Sequence, residues 1–410
     1  MVDLAIVGHI GDECLIGAIA LGTMIFNLIY WNFGFLRIGT SGFTAQAYGA
    51  GNIAESLRVL VRALFIALVS AVLLIALQQP IALLSKTIVK SGDDVMNLAL
   101  KYFYIRIWAA PATLGLYAIK GWFIGMQNAK YPMFVAIVLN VVNVLCSLAF
   151  AVGLKMGIAG VAIGTVVAQY SGLVMAVALW FKKYGTLYAE INLKSCLVFS
   201  EMKRFFSVNG DIFIRSICMI AVFTFIPAVS ASMGNMVLAA NTLLMQLFTL
   251  FSYVMDGFAY AGESLVGRFI GAKDKYSLKL SIKCLLRWGG LLTLIFTVAY
   301  FFFGRDILSL LTNDNNVIDA AMEFFVWSLV VPVAGFSAFL FDGIYVGAIA
   351  SKSMRNVIVA ATAAFFLAYF PLYRFLGNDG LWIAFLLFLV FRGGLMWLNM
   401  NKAVIKQVKD

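Results

Sequence analysis

Three carboxylates, Asp256, Glu263 and Asp342, stand within or beside long apolar runs. A charge at the centre of a membrane helix costs about 2.5–3.5 kcal/mol on insertion scales, so such groups are expected to face a protein interior and to bind a proton, a cation or a basic partner. Asp211 and Arg215 are four apart and are expected to pair along one helix face. Arg37 is expected to snorkel to the membrane boundary. Other chemistries lack their residues. His9 is the sole histidine, and Cys14, Cys146, Cys196, Cys218 and Cys284 show no metal-ligand spacing, so neither a zinc site nor a disulfide framework is indicated. No Gly-rich loop ends in Gly-Lys-Ser/Thr, which argues against direct ATP coupling and for an ion gradient, with no cofactor. A membrane enzyme would need a cluster of His, Asp or Cys at one depth, and none is visible.

The elements that must carry these residues are set by hydropathy. The 410 residues are 63% apolar and 12% charged, with mean hydropathy +0.97, beyond the range of soluble domains. Apolar stretches of about 20 residues, enough to cross about 30 Å of hydrocarbon, predict spans at 15–36, 60–84, 99–125, 133–154 and 159–181. Six more are predicted at 209–231, 237–261, 283–303, 318–345, 356–375 and 380–400. Pro111, Pro227 and Pro332 fall inside spans and would bend or hinge them.

The net charge of +11 would suggest nucleic acid in a soluble protein, but its distribution removes that need. If alternate loops share a side, the segments 46–62, 126–132, 182–206, 268–287, 351–356 and 401–410 carry 19 Lys and Arg, against five (Lys86, Lys90, Lys155, Arg305, Arg374) opposite. This positive-inside asymmetry places the C-terminus and the central loop in the cytoplasm of an inner-membrane protein, whose surroundings are the bilayer and whose default state is a monomer.

A shift of 222 residues superimposes Gly49-Ala50 on Gly271-Ala272, Gly121-Trp-Phe-Ile-Gly125 on Gly343-Ile-Tyr-Val-Gly347, and Lys130 on Lys352; with one added gap Gly157 meets Gly380. A parallel duplication follows: an all-α polytopic protein of two six-helix lobes, 1–182 and 207–410, related by an axis along the membrane normal and joined by a cytoplasmic linker at 183–206. The first lobe then shows five full spans, and residues 1–8 read as the remnant of a first helix mostly missing from this chain. The repeat sets Lys120 opposite Asp342, and an ion pair near the lobe interface is one way to neutralise both.

Val2-Asp-Leu-Ala-Ile-Val-Gly-His-Ile-Gly11, Phe35-Leu-Arg-Ile-Gly-Thr-Ser-Gly42, Ala45-Gln-Ala-Tyr-Gly-Ala50 and Asn140-Val-Val-Asn143 together resemble the multidrug and toxic compound extrusion (MATE) family. Asn209-Gly-Asp-Ile-Phe-Ile-Arg215 and Met255-Asp-Gly-Phe-Ala-Tyr-Ala-Gly-Glu263 resemble its DinF-like branch. The resemblance covers essentially the whole chain. It implies twelve helices around a V-shaped cavity and export of amphipathic, often cationic compounds in exchange for protons or sodium. It also places a functional first-helix carboxylate at Asp3, with Asn143 and Thr165 as polar partners and Ser147 where many relatives carry a second carboxylate. A neutral hydroxyl there weakens a sodium site, because hard cations favour several oxygens with negative charge among them, and so favours proton coupling. Asn140, Asp256 and Asp342 are expected to line the substrate cavity. Plain interhelical hydrogen bonding is the alternative role for Asn140, Asn143 and Thr165. A lipid-linked oligosaccharide flippase of the same superfamily is the competing transporter, against which Asp3 and the Phe35–Gly42 segment argue.

Overall fold

The computed structural model describes residues 13–88, 92–190, 196 and 198–408. Helices dominate them: α1 (Glu13–Asn32), α2 (Phe35–Gly49), α3 (Ile53–Ala76), α4 (Gln78–Ile88), α5 (Asp93–Arg106), α6 (Ala110–Gly125), α7 (Lys130–Leu148) and α8 (Gly157–Tyr184) come first. There follow α9 (Phe199–Ser232), α10 (Asn235–Gly271), α11 (Lys275–Leu311), α12 (Asn315–Glu323), α13 (Phe325–Gly347), α14 (Ser351–Leu376) and α15 (Asn378–Ala403). Among the described residues ten helical runs are long and apolar enough to cross a bilayer. Eleven were expected, and the difference lies at 99–125. There Pro111 lacks an N–H and its ring crowds the carbonyl of residue 107, so the helix tightens to a 3₁₀ turn at Ile107–Ala109 and divides into α5 and α6. Pro227 and Pro332 lie inside helices that continue through them. α10 and α11, 37 residues each, would extend about 55 Å at 1.5 Å per residue, well past a hydrocarbon core.

The chain forms two compact units, one of the described residues up to Thr44 with Asn52–Arg204, the other of Ala45–Gly51 with Phe205 onward. In the first, Trp122, Phe123, Tyr102, Phe103 and Phe26 are fully buried, and Trp122 meets Tyr184 edge-on at 4.8 Å between ring centres. In the second, Phe251, Phe365, Phe385 and Phe388 are buried with Val222, Ile226 and Trp382.

The repeat recurs in the local geometry. In the first unit a Cβ on Gly121 would lie 2.3 Å from the Arg37 carbonyl; in the second a Cβ on Gly343 would lie 2.0 Å from that of Ala259, 222 residues beyond Arg37. Only glycine permits either backbone crossing. The turns that follow form the same bonds: the N–H groups of Met126, Gln127 and Asn128 donate to Trp122, Ile124 and Phe123, and those of Ala348, Ile349 and Ala350 to Ile344, Val346 and Tyr345. Gln127 and Ile349 both take positive φ, 60° and 51°. Asn52 caps α3 by accepting from the Glu55 N–H, and Asp274 caps α11 by accepting from that of Ser277.

The offset beyond α7 needs correction. A Cβ on Gly160 would meet the backbone of Phe150 and Ala151, and one on Gly380 that of Leu372 and Tyr373, so Gly160, not Gly157, is the counterpart of Gly380. Gly157 and Gly377 share φ +56°. The turn in the first half is two residues longer, and the offset falls to 220 past it.

Candidate functional site

Asp3 lies outside the described residues. Its expected companions are held by the close approach of α7 and α8. Gly164 brings the α8 backbone so near α7 that a Cβ there would be 2.6 Å from Ser147 Oγ. One turn before Ser147, Asn143 Nδ2 donates to Thr165 Oγ1 at 3.2 Å, and the Thr165 hydroxyl donates to the Val161 carbonyl at 3.1 Å. One of the two Nδ2 hydrogens is thereby committed, and Oδ1 is the acceptor Asn143 offers to any other group. Ser147 is fully buried and its Oγ has no partner among the described residues. The side chains brought together are neutral, with oxygen acceptors and no formal charge. Asn140, one turn before Asn143, is exposed and its Nδ2 donates to the Ala136 carbonyl of its own helix at 2.9 Å.

The second unit concentrates charge. Asp342 on α13 is buried, and its Oδ2 accepts from Nη2 of both Arg215 on α9 and Arg392 on α15. Arg392 is 1% exposed, and its guanidinium lies 5.6 Å from the centre of the Phe339 ring. Asp256, half-buried on α10, acts electrostatically on Arg392. Arg215 Nε, Arg392 Nε and Nη1 and Asp342 Oδ1 are buried and have no hydrogen-bond partner among the described residues. Removing one member of such a pair costs about 3–5 kcal/mol, because the remaining charge is left uncompensated in low dielectric.

The expected Asp211–Arg215 pair does not form. Arg215 goes to Asp342, while Asp211 accepts from Arg355 Nη1 at 2.6 Å and from Ser351 Oγ at 2.8 Å, both on α14. A pair along one helix contributes only about 0.2–0.5 kcal/mol, so partners on neighbouring helices that also neutralise buried charge prevail. Arg392 escaped the sequence reading, although a lone arginine inside the apolar run 380–400 signals a buried partner. In the first unit, Arg62 is 3% exposed and ties Glu55, at 2.7 Å, to the Cys196 carbonyl, also at 2.7 Å. Glu263 on α10 is likewise buried.

Ten membrane-length helical runs among the described residues, a duplicated backbone and ionisable groups buried among the helices define a polytopic membrane protein. The MatE family model matches residues 1–149 and 212–373, and the chain belongs to this family of transporters. It is 34% identical over 395 residues to DNA damage-inducible protein F of Escherichia coli strain K12, covering 96% of this chain and 85% of that one. To the probable multidrug resistance protein NorM of Photorhabdus laumondii it is 22% identical over 333 residues, 78% of this chain and 71% of that one. A solved transporter of the MOP superfamily from Pyrococcus furiosus superposes with a TM-score of 0.86 at 18% identity, covering 100% of this chain and 92% of that one, which establishes the shared fold. As a member of this family the chain is a transporter and not an enzyme.

Proposed function

We propose that the chain is a secondary antiporter that exports amphipathic, often cationic small molecules in exchange for protons by alternating access, as a monomer in an inner membrane with its C-terminus in the cytoplasm. Family membership and the name of the NorM relative support multidrug export. The observation that carries the choice of proton is the neutral Asn143–Thr165–Ser147 arrangement. Sodium binding favours several oxygens with negative charge among them, and Ser147 supplies only a hydroxyl where many relatives have a carboxylate. The acid assigned to this group is Asp3. An acid on a membrane helix tends to bind a proton or a cation, and exchange follows when the proton is released as a cationic substrate takes its place.

The test is export of a lipophilic cation from proteoliposomes under an imposed proton gradient or, separately, a sodium gradient at constant pH. Transport that follows the proton gradient and is lost in Asp3→Asn is the expected result. Transport that follows sodium alone reassigns the coupling ion, and unchanged transport in Asp3→Asn refutes the mechanism.

A further inference from the structure

The ion cluster of the second unit is balanced in charge but not in hydrogen bonds. Arg215 and Arg392 both contact Asp342, and Asp256 acts electrostatically on Arg392, so two cationic and two anionic side chains influence one another. Both guanidinium groups spend a single nitrogen, Nη2, on a single carboxylate oxygen, Asp342 Oδ2. Three further guanidinium nitrogens, Arg215 Nε, Arg392 Nε and Arg392 Nη1, are buried without acceptors among the described residues. A guanidinium has five N–H donors in a planar fork and cannot discharge itself by losing a proton in a protein, so these donors call for oxygen. Beside Arg392 the Phe339 ring begins an aromatic cluster, 5.9 Å from Phe248 and 6.1 Å from Phe251 between ring centres. A buried aromatic cluster thus adjoins these guanidinium donors.

We propose that Arg215 and Arg392 form a binding site for an oxyanion, the carboxylate, sulfonate or phosphate of an amphipathic molecule whose apolar body lies against Phe339, with Asp342 as the internal group that competes for the same arginines. The site extends the range of exported compounds from cations to acidic and zwitterionic amphiphiles, and in that respect rests on the transport reading above. Carboxylate and phosphate groups take two parallel N–H bonds from one guanidinium, a geometry that the monodentate contact to Asp342 leaves open.

The probe is pyrenebutyrate, with the neutral pyrenebutanol as its matched control, bound to the full chain in nanodiscs of neutral lipid and read by fluorescence. The wild type is expected to hold pyrenebutyrate about tenfold more tightly than pyrenebutanol, the scale of one charge-assisted hydrogen bond. Asp342→Asn removes the competitor and is expected to tighten pyrenebutyrate by a further factor of about ten while leaving pyrenebutanol unchanged. The double variant Asp342→Asn with Arg392→Gln is expected to lose that gain. A purely structural cluster predicts the reverse for Asp342→Asn, weaker or unchanged binding, and that result overturns the proposal. Equal wild-type affinity for the two pyrenes also overturns it, and this comparison needs no variant to fold. Anionic lipid in the nanodiscs identifies the natural source: displacement of pyrenebutyrate points to a lipid headgroup, and its retention to a soluble amphiphile. The measurement involves no ion gradient. Failure of proton-coupled cation export leaves the oxyanion site standing, and failure of pyrenebutyrate binding leaves the coupling mechanism standing.

Discussion

Ser147→Asp should convert the neutral group of α7 and α8 into a sodium-responsive one. The side chain is fully buried, with Oγ against the α8 backbone at Gly164 and one turn from the Asn143–Thr165 hydrogen bond. Two costs are expected. An ionised carboxylate inside the membrane costs about 2.5–3.5 kcal/mol if unpaired. The added atoms in a packed contact cost about 1–3 kcal/mol more. Ser147→Asn has nearly the same shape without the charge, so it isolates the packing cost. Sodium bound by the new carboxylate can return only the charge term, and at a hundred times its Kd it contributes about 2.7 kcal/mol, close to the whole of that term. Thermal unfolding in nanodiscs, in sodium chloride against choline chloride at fixed pH, should therefore show a sodium-dependent rise for Ser147→Asp and none for Ser147→Asn or the wild type. Equal stabilisation of the wild type by sodium would show that the neutral group already binds the ion, and identical behaviour of the two variants would show that the carboxylate does not.

Gly121→Ala and Gly343→Ala should each destabilise the chain by about 1–3 kcal/mol, because each Cβ falls within bonding-clash distance of a carbonyl, 2.3 Å from Arg37 and 2.0 Å from Ala259. Matched losses in unfolding experiments would follow from the repeat, and a loss at only one site would count against equivalence of the two crossings. The Asp274 carboxylate is held below the ordinary carboxylate range by hydrogen bonds from the Ser277 hydroxyl and N–H. A lowered folded pKa means that the cap contributes above the unfolded pKa and is lost as pH falls through the folded value. Hydrogen exchange at the Ser277 amide should accordingly gain an acid-induced opening, relative to Asp274→Asn, only below the ordinary carboxylate range.

Much of the fold was legible because each signal had one physical cause. Apolar runs mark helices since lipid leaves no other partner for the backbone. The glycines at 121, 125, 343 and 347 marked a duplication since only glycine fits those backbone crossings. Two features were not legible. The division of the predicted span 99–125 depended on how Pro111 resolves its clash, by a hinge or by a break, and hydropathy is blind to the choice. The two-residue difference between the turns before α8 and α15 placed Gly157 against the wrong glycine, because a gap inferred from sequence has no geometry to fix its sign.

The charged residues divide similarly. That Asp342 needs neutralising follows from hydropathy alone, but its partners on α9 and α15 are set by helix packing. Spacing by four made Asp211 the apparent partner of Arg215, although the energy of such a pair is too small to resist a cross-helix competitor. Asn143 and Thr165, 22 residues apart, were paired through the family resemblance, and the structure brings them into hydrogen-bond contact.

Exchange of protons for substrate through Asp3 is followed most directly by proton movement itself. Lightly buffered proteoliposomes with a pH dye inside, loaded with a lipophilic cation and free of sodium, should acidify internally as the cation leaves. The same vesicles carrying Asp3→Asn should show neither acidification nor efflux. Cation efflux without acidification, or acidification that survives in Asp3→Asn, would rule out proton exchange through Asp3.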